Sequence, residues 1–409
     1  MKKYKLMTDS DRVIVNGVIL YRIQALRSFG DVKKGEVGGF IEKEANLTHE
    51  GEAWIYDNAR VYENAIISGN ANISDSSRIY GNAKVYDNAS IFDRAQVCGN
   101  AHVFGEAKLH DYSQVYDGAK IYGTSCLFDQ TEVYGYAKVF GNAKLHNNTR
   151  VYGSVQVYDD ALLFKNAKVY DQAHIFDKAE INGNAKIYQN AQVHGEAFVY
   201  DKAKVYGNAR VYENAQVYGK ARVYDSAQIY GKAEIHEHGR VFDHAQVYED
   251  GWVFFRGRVH GNAKICGRAW ISSGAEIFGN AKIYGNANIG GYTEIYGDAE
   301  VFGDINTGNG DPHISADASI SDSSDILCFS SSNKNYDNNL TVFKSKNGIA
   351  KVNIGYWQEN IERKEVEYCL FEGTVDEFLA RSKIFDDEKT FREFSLLIDV
   401  ILSKMNFKK

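Results

Sequence analysis

The residues best placed to do chemistry are five histidines with a shared setting. His110, His146, His194, His236 and His260 could each act as a general base if a substrate came within hydrogen-bond reach. All five stand at one position of a six-residue repeat that elsewhere holds mostly Tyr or Phe, which reads as ring-for-ring substitution. His313 differs, because it follows Gly303–Pro312, an irregular stretch that carries the single Pro of the chain. The catalytic candidates are therefore His110, His146 and His313, with a ladder role favoured for the first two. Asp57, Asp75, Asp93, Asp111 and Asp129 recur every 18 residues and would stack about one strand spacing apart. Such a row can attract a cation, but a solvated corner is the favoured reading, so neither a metal nor another cofactor is expected. The five Cys (Cys98, Cys126, Cys266, Cys328, Cys369) include no CxxC pair, and an odd, scattered set suits a reducing cytoplasm.

The repeat that positions these residues runs from Ala53 to Phe302 without an insertion. Every sixth residue from Ile55 to Val301 gives 42 sites, filled by 21 Val, 17 Ile and 4 Leu. Two residues earlier stands a small residue, Ala at 32 of the 42. Residues two apart share one side of a strand, so each hexad points one large and one small side chain inward. The next two positions make a corner. Gly or Asp is favoured at the first and Asn at the second, where it occurs 16 times, types that tolerate a left-handed backbone. Three hexads close a triangular coil, and Leu109, Leu127, Leu145 and Leu163, spaced by 18, predict one stacked ladder. The fold expected is an all-β solenoid, a triangular parallel β-helix of about 14 to 15 coils. At one strand spacing per coil its regular part would be roughly 65–70 Å long.

Its outer faces differ. One collects Trp54, Cys126, Leu162, Phe198, Trp252 and Trp270 before the aliphatic site, and Phe92, Phe128, Phe164 and Phe254 after it. A row of apolar groups in phase predicts an interaction face, covered by another copy or by the C-terminal part of the chain. A second face sets Arg60, Arg78, Arg150, Lys168, Lys186, Lys204, Arg222, Arg240 and Arg258 beside Tyr152, Tyr170, Tyr188, Tyr206 and Tyr224. Basic residues among aromatics can bind single strands of nucleic acid. Tyr beside Arg also packs well on an exposed sheet, acidic corners flank the row, and the net charge is −7, so nucleic acid is not the expected partner.

The ends are irregular. Residues 1–52 read as a cap, with a hairpin at Asn16-Gly17 and an entry coil in which Ile41 and Leu47 already keep six-residue spacing. The basic start, Met1-Lys2-Lys3-Tyr4-Lys5, lacks the apolar run of a signal peptide, and no stretch approaches a membrane span. The repeat resumes one residue out of phase at His313–Ile320 and is expected to reach 328, followed by a polar linker at 329–339. Residues 340–409 predict a small α+β domain. It has a hairpin at Asn347-Gly348, a strand around Tyr368–Phe371, a capping box at Thr374–Glu377 opening a helix, and a last helix at Glu388–Lys404.

The Val-x-Gly/Asp-Asn-Ala-Lys pattern resembles the hexapeptide repeat of the left-handed parallel β-helix, the fold of many trimeric acyltransferases. That resemblance implies a left-handed coil, and an acyl-CoA-dependent enzyme would use a His base with loops thrown out of the coils. Here no insertion interrupts 53–302, and Tyr or Phe follows the aliphatic site at 30 of 42 positions where the family often has Gly. The entry segment GDVKKGEVGGFI, followed by Gly51–Asp57, is similar to that of YdcK-like bacterial proteins, often labelled putative transferases. FEGTVDEF at Phe371–Phe378 resembles tails of related bacterial and phage proteins. The function expected is a non-enzymatic, rod-like scaffold of the cytoplasm that forms a dimer or trimer or binds a protein partner. An acyltransferase-like enzyme is the alternative.

Overall fold

The computed structural model describes residues 2–8, 11–307, 311–315, 317–333, 336–358, 366–385 and 388–405. The chain forms two compact units, Met1–Asn208 and Ala209–Lys409. Both are built from the same parallel β-solenoid coil, as the hexad dictates.

In the first unit each hexad supplies a two-residue strand, such as Lys84–Val85, which pairs in parallel with Ile66–Ile67 and His102–Val103 on its two sides. Three such ladders close each coil. The outward residues on both sides of the aliphatic site, and the second corner residue, donate to the next coil: Trp54 N–H to Ala71 at 3.1 Å, Tyr56 to Ile73 at 2.7 Å, Asn58 to Asp75 at 2.9 Å. The interior is apolar. Val85, Val103, Val205 and the inward alanines are fully buried, and Leu109, Leu127, Leu145 and Leu163 stack in one ladder as their spacing predicts. At several sites where Ser or Thr replaces the inward Ala, the hydroxyl folds back: Thr131 Oγ1 donates to the Phe128 carbonyl at 2.8 Å and Thr149 to His146 at 2.7 Å.

The corners correct one reading of the sequence. Positive φ falls on the first corner residue, as at Asp57 (49°), Glu63 (57°) and Gly69 (66°), and Asn58, Asn64 and Asn70 do not share it. Asn at the second corner answers a different demand. Asn64 Nδ2 donates to Asn82 Oδ1 at 3.2 Å and Asn82 to Asn100 at 3.1 Å, an amide ladder that ties successive coils together.

The N-terminal cap contains strands Tyr4–Leu6, Arg12–Val15, Val18–Ala25 and Val37–Ile41. Asn16 (φ 52°) and Gly17 (φ 83°) turn the hairpin in the primed geometry their sequence predicts. Ile41 pairs with Val61 and Leu47 bridges to Ile67, so the entry coil joins the ladders with two residues more than a regular coil.

In the second unit the coils continue to Ser319–Ile320, and the one-residue phase shift is seen in Ile295 pairing with Ile314 and Val301 with Ile320. The segment expected to extend the solenoid to 328 and then form a linker at 329–339 instead contributes to two paired strands, Ile326–Asn333 and Tyr336–Lys344. They lead a four-stranded antiparallel sheet completed by Ala350–Gln358 and Val366–Thr374. Much of the Ser- and Asn-rich composition that suggests a linker sits on the edge strand Ile326–Asn333, where polar residues are tolerated. Helices α1 (Val375–Phe385) and α2 (Glu388–Lys404) follow, with Thr374 and Glu377 forming the expected reciprocal cap. The sheet is not independent of the coils: Ala318 bridges to Ser345, Lys351 pairs with Asp317 at 2.8 Å, and Asn353 donates to Tyr296 Oη at 2.8 Å. No described helix is long and apolar enough to cross a membrane.

Candidate functional site

The histidine candidates separate into two settings. His110 and His146 lie in a continuous ring ladder, Phe92–His110–Phe128–His146–Phe164, with centroids 4.7–5.1 Å apart and planes within 3°. Burial in that ladder lowers the His146 pKa, against the nearby Asp129 carboxylate, which raises it. His313, expected beside an open loop, is 4% exposed. It sits in a strand paired with Glu294–Ile295, its Nδ1 lies 3.4 Å from Glu294 Oε2, and its N–H donates to Thr341 Oγ1 at 3.0 Å. The C-terminal sheet covers the one His that the sequence places at an irregular edge.

The Asp row is neither bare nor merely solvated. Asp75, Asp93 and Asp111 offer Oδ2 to the backbone N–H of the next corner, Asp93, Asp111 and Asp129, each at 3.2 Å. Asp93, His110 and Asp111 bring one ligand atom each within 4.8 Å, but these carboxylates already close the corner turns. Asp therefore suits the first corner through what its side chain accepts as well as the φ it tolerates.

The basic face is a second ring ladder. Tyr134, Tyr152, Tyr170, Tyr188 and Tyr206 stack in the first unit at 4.8–5.1 Å, and Tyr224, Phe242, His260 and Phe278 in the second at 4.5–5.1 Å. Each ring covers its neighbour's face, leaving mostly edges to solvent, whereas a stacked base needs an open face. Arg150 and Arg258 pair with Glu132 and Glu276 at 3.3 and 3.2 Å. Lys168, Lys186, Lys204 and Arg240 lie half-buried along the sheet, and Arg222 is exposed.

The apolar face is not one strip. Trp54 is 1% exposed, packed edge-on by Phe29 and Tyr4 of the chain's own cap at 5.4 and 6.2 Å. Lys3 is buried beside it, donating from Nζ to the Ala53 carbonyl at 2.9 Å. Polar residues interrupt the row: Lys144 and Glu180 pair on either side of the half-buried Leu162. Phe198, at 38% exposed, stands next to Glu180.

The second unit concentrates what remains. Trp252 and Trp270 stack at 5.2 Å, with Phe254 and His236 edge-on to Trp252, and Trp270 is 40% exposed. They floor an open groove of about 740 Å³ whose corner side is Asn214, Lys232, Asp250, Arg268 and Asn286 and whose strand side adds Gln216, Glu234 and Asn288. On the next corner Phe255 (φ 41°) is exposed beside Arg256 (φ 71°), two successive non-Gly residues in a conformation that costs free energy. The sequence reading names the indoles but misses the corner side of the groove. The signal was the 18-residue phase of Lys232, Asp250 and Arg268 next to them.

Three stretches, 53–69, 203–217 and 215–231, match the family model of the YdcK beta solenoid repeat. The chain is a β-solenoid whose coils are similar to the YdcK repeat. No curated protein matches it. The matched segments are repeat coils, so they bear on the architecture; they include Asn214 and Gln216 at one end of the groove but not its indoles, the cap or the C-terminal sheet.

Proposed function

We propose that this chain is a non-enzymatic binding scaffold that self-associates through the groove around Trp252 and Trp270. The observation that carries the reading is the stacked indole pair left open to solvent, where monomers rarely keep a contiguous apolar patch. Aromatics with Arg at the centre and polar groups at the rim are also the composition of protein interfaces.

The charge pattern favours a second copy as the occupant. A closed homodimer presents the same patch twice, related by a two-fold axis. Let that axis lie in the face, along the strands, between the coils of Trp252 and Trp270. Trp252 then meets Trp270 of the other copy, Asp250 meets Arg268, Lys232 meets Asn286 and Glu234 meets Asn288. No like charges are opposed. An acyl-transfer site would ask for a His free to reach a substrate, whereas His236 beside Trp252 is stacked between Tyr218 and Phe254.

The test is a charge swap. Asp250→Arg and Arg268→Asp should each weaken association about tenfold or more by opposing like charges, and the double variant should restore it. Single variants that associate as well as the wild type would refute the arrangement.

A further inference from the structure

A separate constellation lies in the first unit, on the ladder of Trp54 but four coils further along. The Cys126 thiol is 3.6 Å from His110 Nε2, a contact distance suited to sulfur, and His110 Nδ1 is 2.8 Å from Asp111 Oδ2. The order of groups is that of an activated nucleophile: a thiol, a base in contact with it, and a carboxylate that orients the base. The imidazole is held flat between Phe92 and Phe128, so its two nitrogens are aimed by the ladder. Such packing fixes a ring in place without a dedicated pocket.

The surroundings are open, with lysines on the strands and the carboxylates of Asp93 and Asp111 at the corner. Cys126 is half-buried and pairs across the sheet with Lys108 on one side and Lys144 on the other, both exposed. Burial pushes the thiol pKa up, the two lysines pull it down, and the Asp111 carboxylate adds to the rise. At rest the sulfur therefore keeps its proton, and reactivity depends on the base in contact. Along the adjoining corner, Arg60, Arg78 and Arg94 line a cleft of about 350 Å³ with Tyr112, the residue after Asp111. Its guanidinium groups can contact an anion beside the Asp75–Asp93–Asp111 row. Reactive cysteines characteristically occupy electropositive, partly exposed sites next to His or Lys.

We propose that Cys126, His110 and Asp111 form a nucleophilic thiol site that undergoes exchange with small anionic disulfides. His110 Nε2 takes the proton from Sγ as the thiolate attacks one sulfur of the disulfide. The new S–S bond joins Cys126 to half of the reagent, the original S–S bond breaks, and the departing thiolate takes the proton back from His110. Asp111 is a positioning residue that holds Nδ1. The disulfide is the oxidant, and no other co-reactant is needed.

The protein carries its own controls. Cys98 and Cys266 are also half-buried, but their thiols share hydrogen bonds with the Tyr80 and Tyr248 hydroxyls instead of a histidine. The full chain is treated with dithionitrobenzoate, a dianionic disulfide, quenched at intervals, and the modified peptides are counted by mass spectrometry. Cys126 should react about tenfold or more faster than Cys98 and Cys266. His110→Phe keeps the ring stack and should bring Cys126 down to the rate of the other two. Lys108→Glu with Lys144→Glu should slow the dianionic reagent while leaving an uncharged pyridyl disulfide nearly unchanged. A Cys126 rate within about twofold of Cys98 and Cys266, or an undiminished rate in His110→Phe, would overturn the proposal.

Discussion

Trp54 and Trp270 occupy the same position of the same hexad, yet one is buried by the cap and the other stands open. Their backbones are alike: Trp54 pairs with Asn72 and Trp270 with Asn288, each through the two-residue strand of its coil. The difference is what lies outside. Phe29, Tyr4 and Lys3 close over Trp54, while the groove at Trp270 has only solvent-facing amides and charges around its indoles. A solenoid makes its interior by repetition alone. On the proposed reading, its function depends on where that repetition leaves a face uncovered.

The largest expected effect would break what both regions share. Val205→Asp puts a carboxylate among fully buried aliphatic ladders with no partner to offset its desolvation, which costs several kcal/mol. Loss of the thermal transition and of the β signal in circular dichroism is expected; an unchanged melt would contradict a stacked apolar core. The next experiment sharpens the contrast directly. Trp54→Ala should destabilise by about 3–5 kcal/mol, as for other buried aromatics, and Trp270→Ala in dilute protein by about 1 kcal/mol or less. Equal losses in denaturant titrations would erase the distinction.

A smaller effect follows from Lys3. Burial drives its pKa down to about 8, with Arg27 adding to the shift. The folded cap then binds fewer protons than the unfolded chain between about pH 8 and the ordinary lysine value, so cap stability rises with pH across that window. Tyr4 opposes this only higher up, because burial raises its pKa above the ordinary phenol value. Hydrogen exchange around Trp54 should slow, relative to its intrinsic rate, from pH 8 to 9.5; a flat or opposite trend would mean Lys3 is not buried there as an ammonium. Smallest of all, Asn82→Ala removes two exposed rungs of the amide ladder and should cost about 1 kcal/mol or less.

Much of this was legible in the hexad. The aliphatic ladder, the Leu column, the primed hairpin at Asn16-Gly17, the phase shift after Val301 and the cap at Thr374–Glu377 follow from local rules that tertiary context does not override. The site was less legible. Asn at the second corner reads as a conformational choice, but its amides bond to a coil 18 residues away, a distance no local rule inspects. Trp54 and Trp270 share a phase that says they point outward, and nothing in it records that the cap folds over one of them. The strand at Ile326–Asn333 was hidden because an edge strand can be as polar as a loop. Cys126 and His110 are 16 residues apart, the diagonal between neighbouring coils, and become neighbours only once the coil length is fixed.

The exposed indole pair carries the proposed contact between copies. Light scattering coupled to size-exclusion chromatography measures it most directly, using the wild type beside Trp252→Lys/Trp270→Lys. A wild-type mass of two chains, about twice 45.9 kDa, falling to one chain in the double variant, is the predicted result. A wild type that elutes as a single chain at all concentrations, with Trp252 and Trp270 freely quenched, would contradict it.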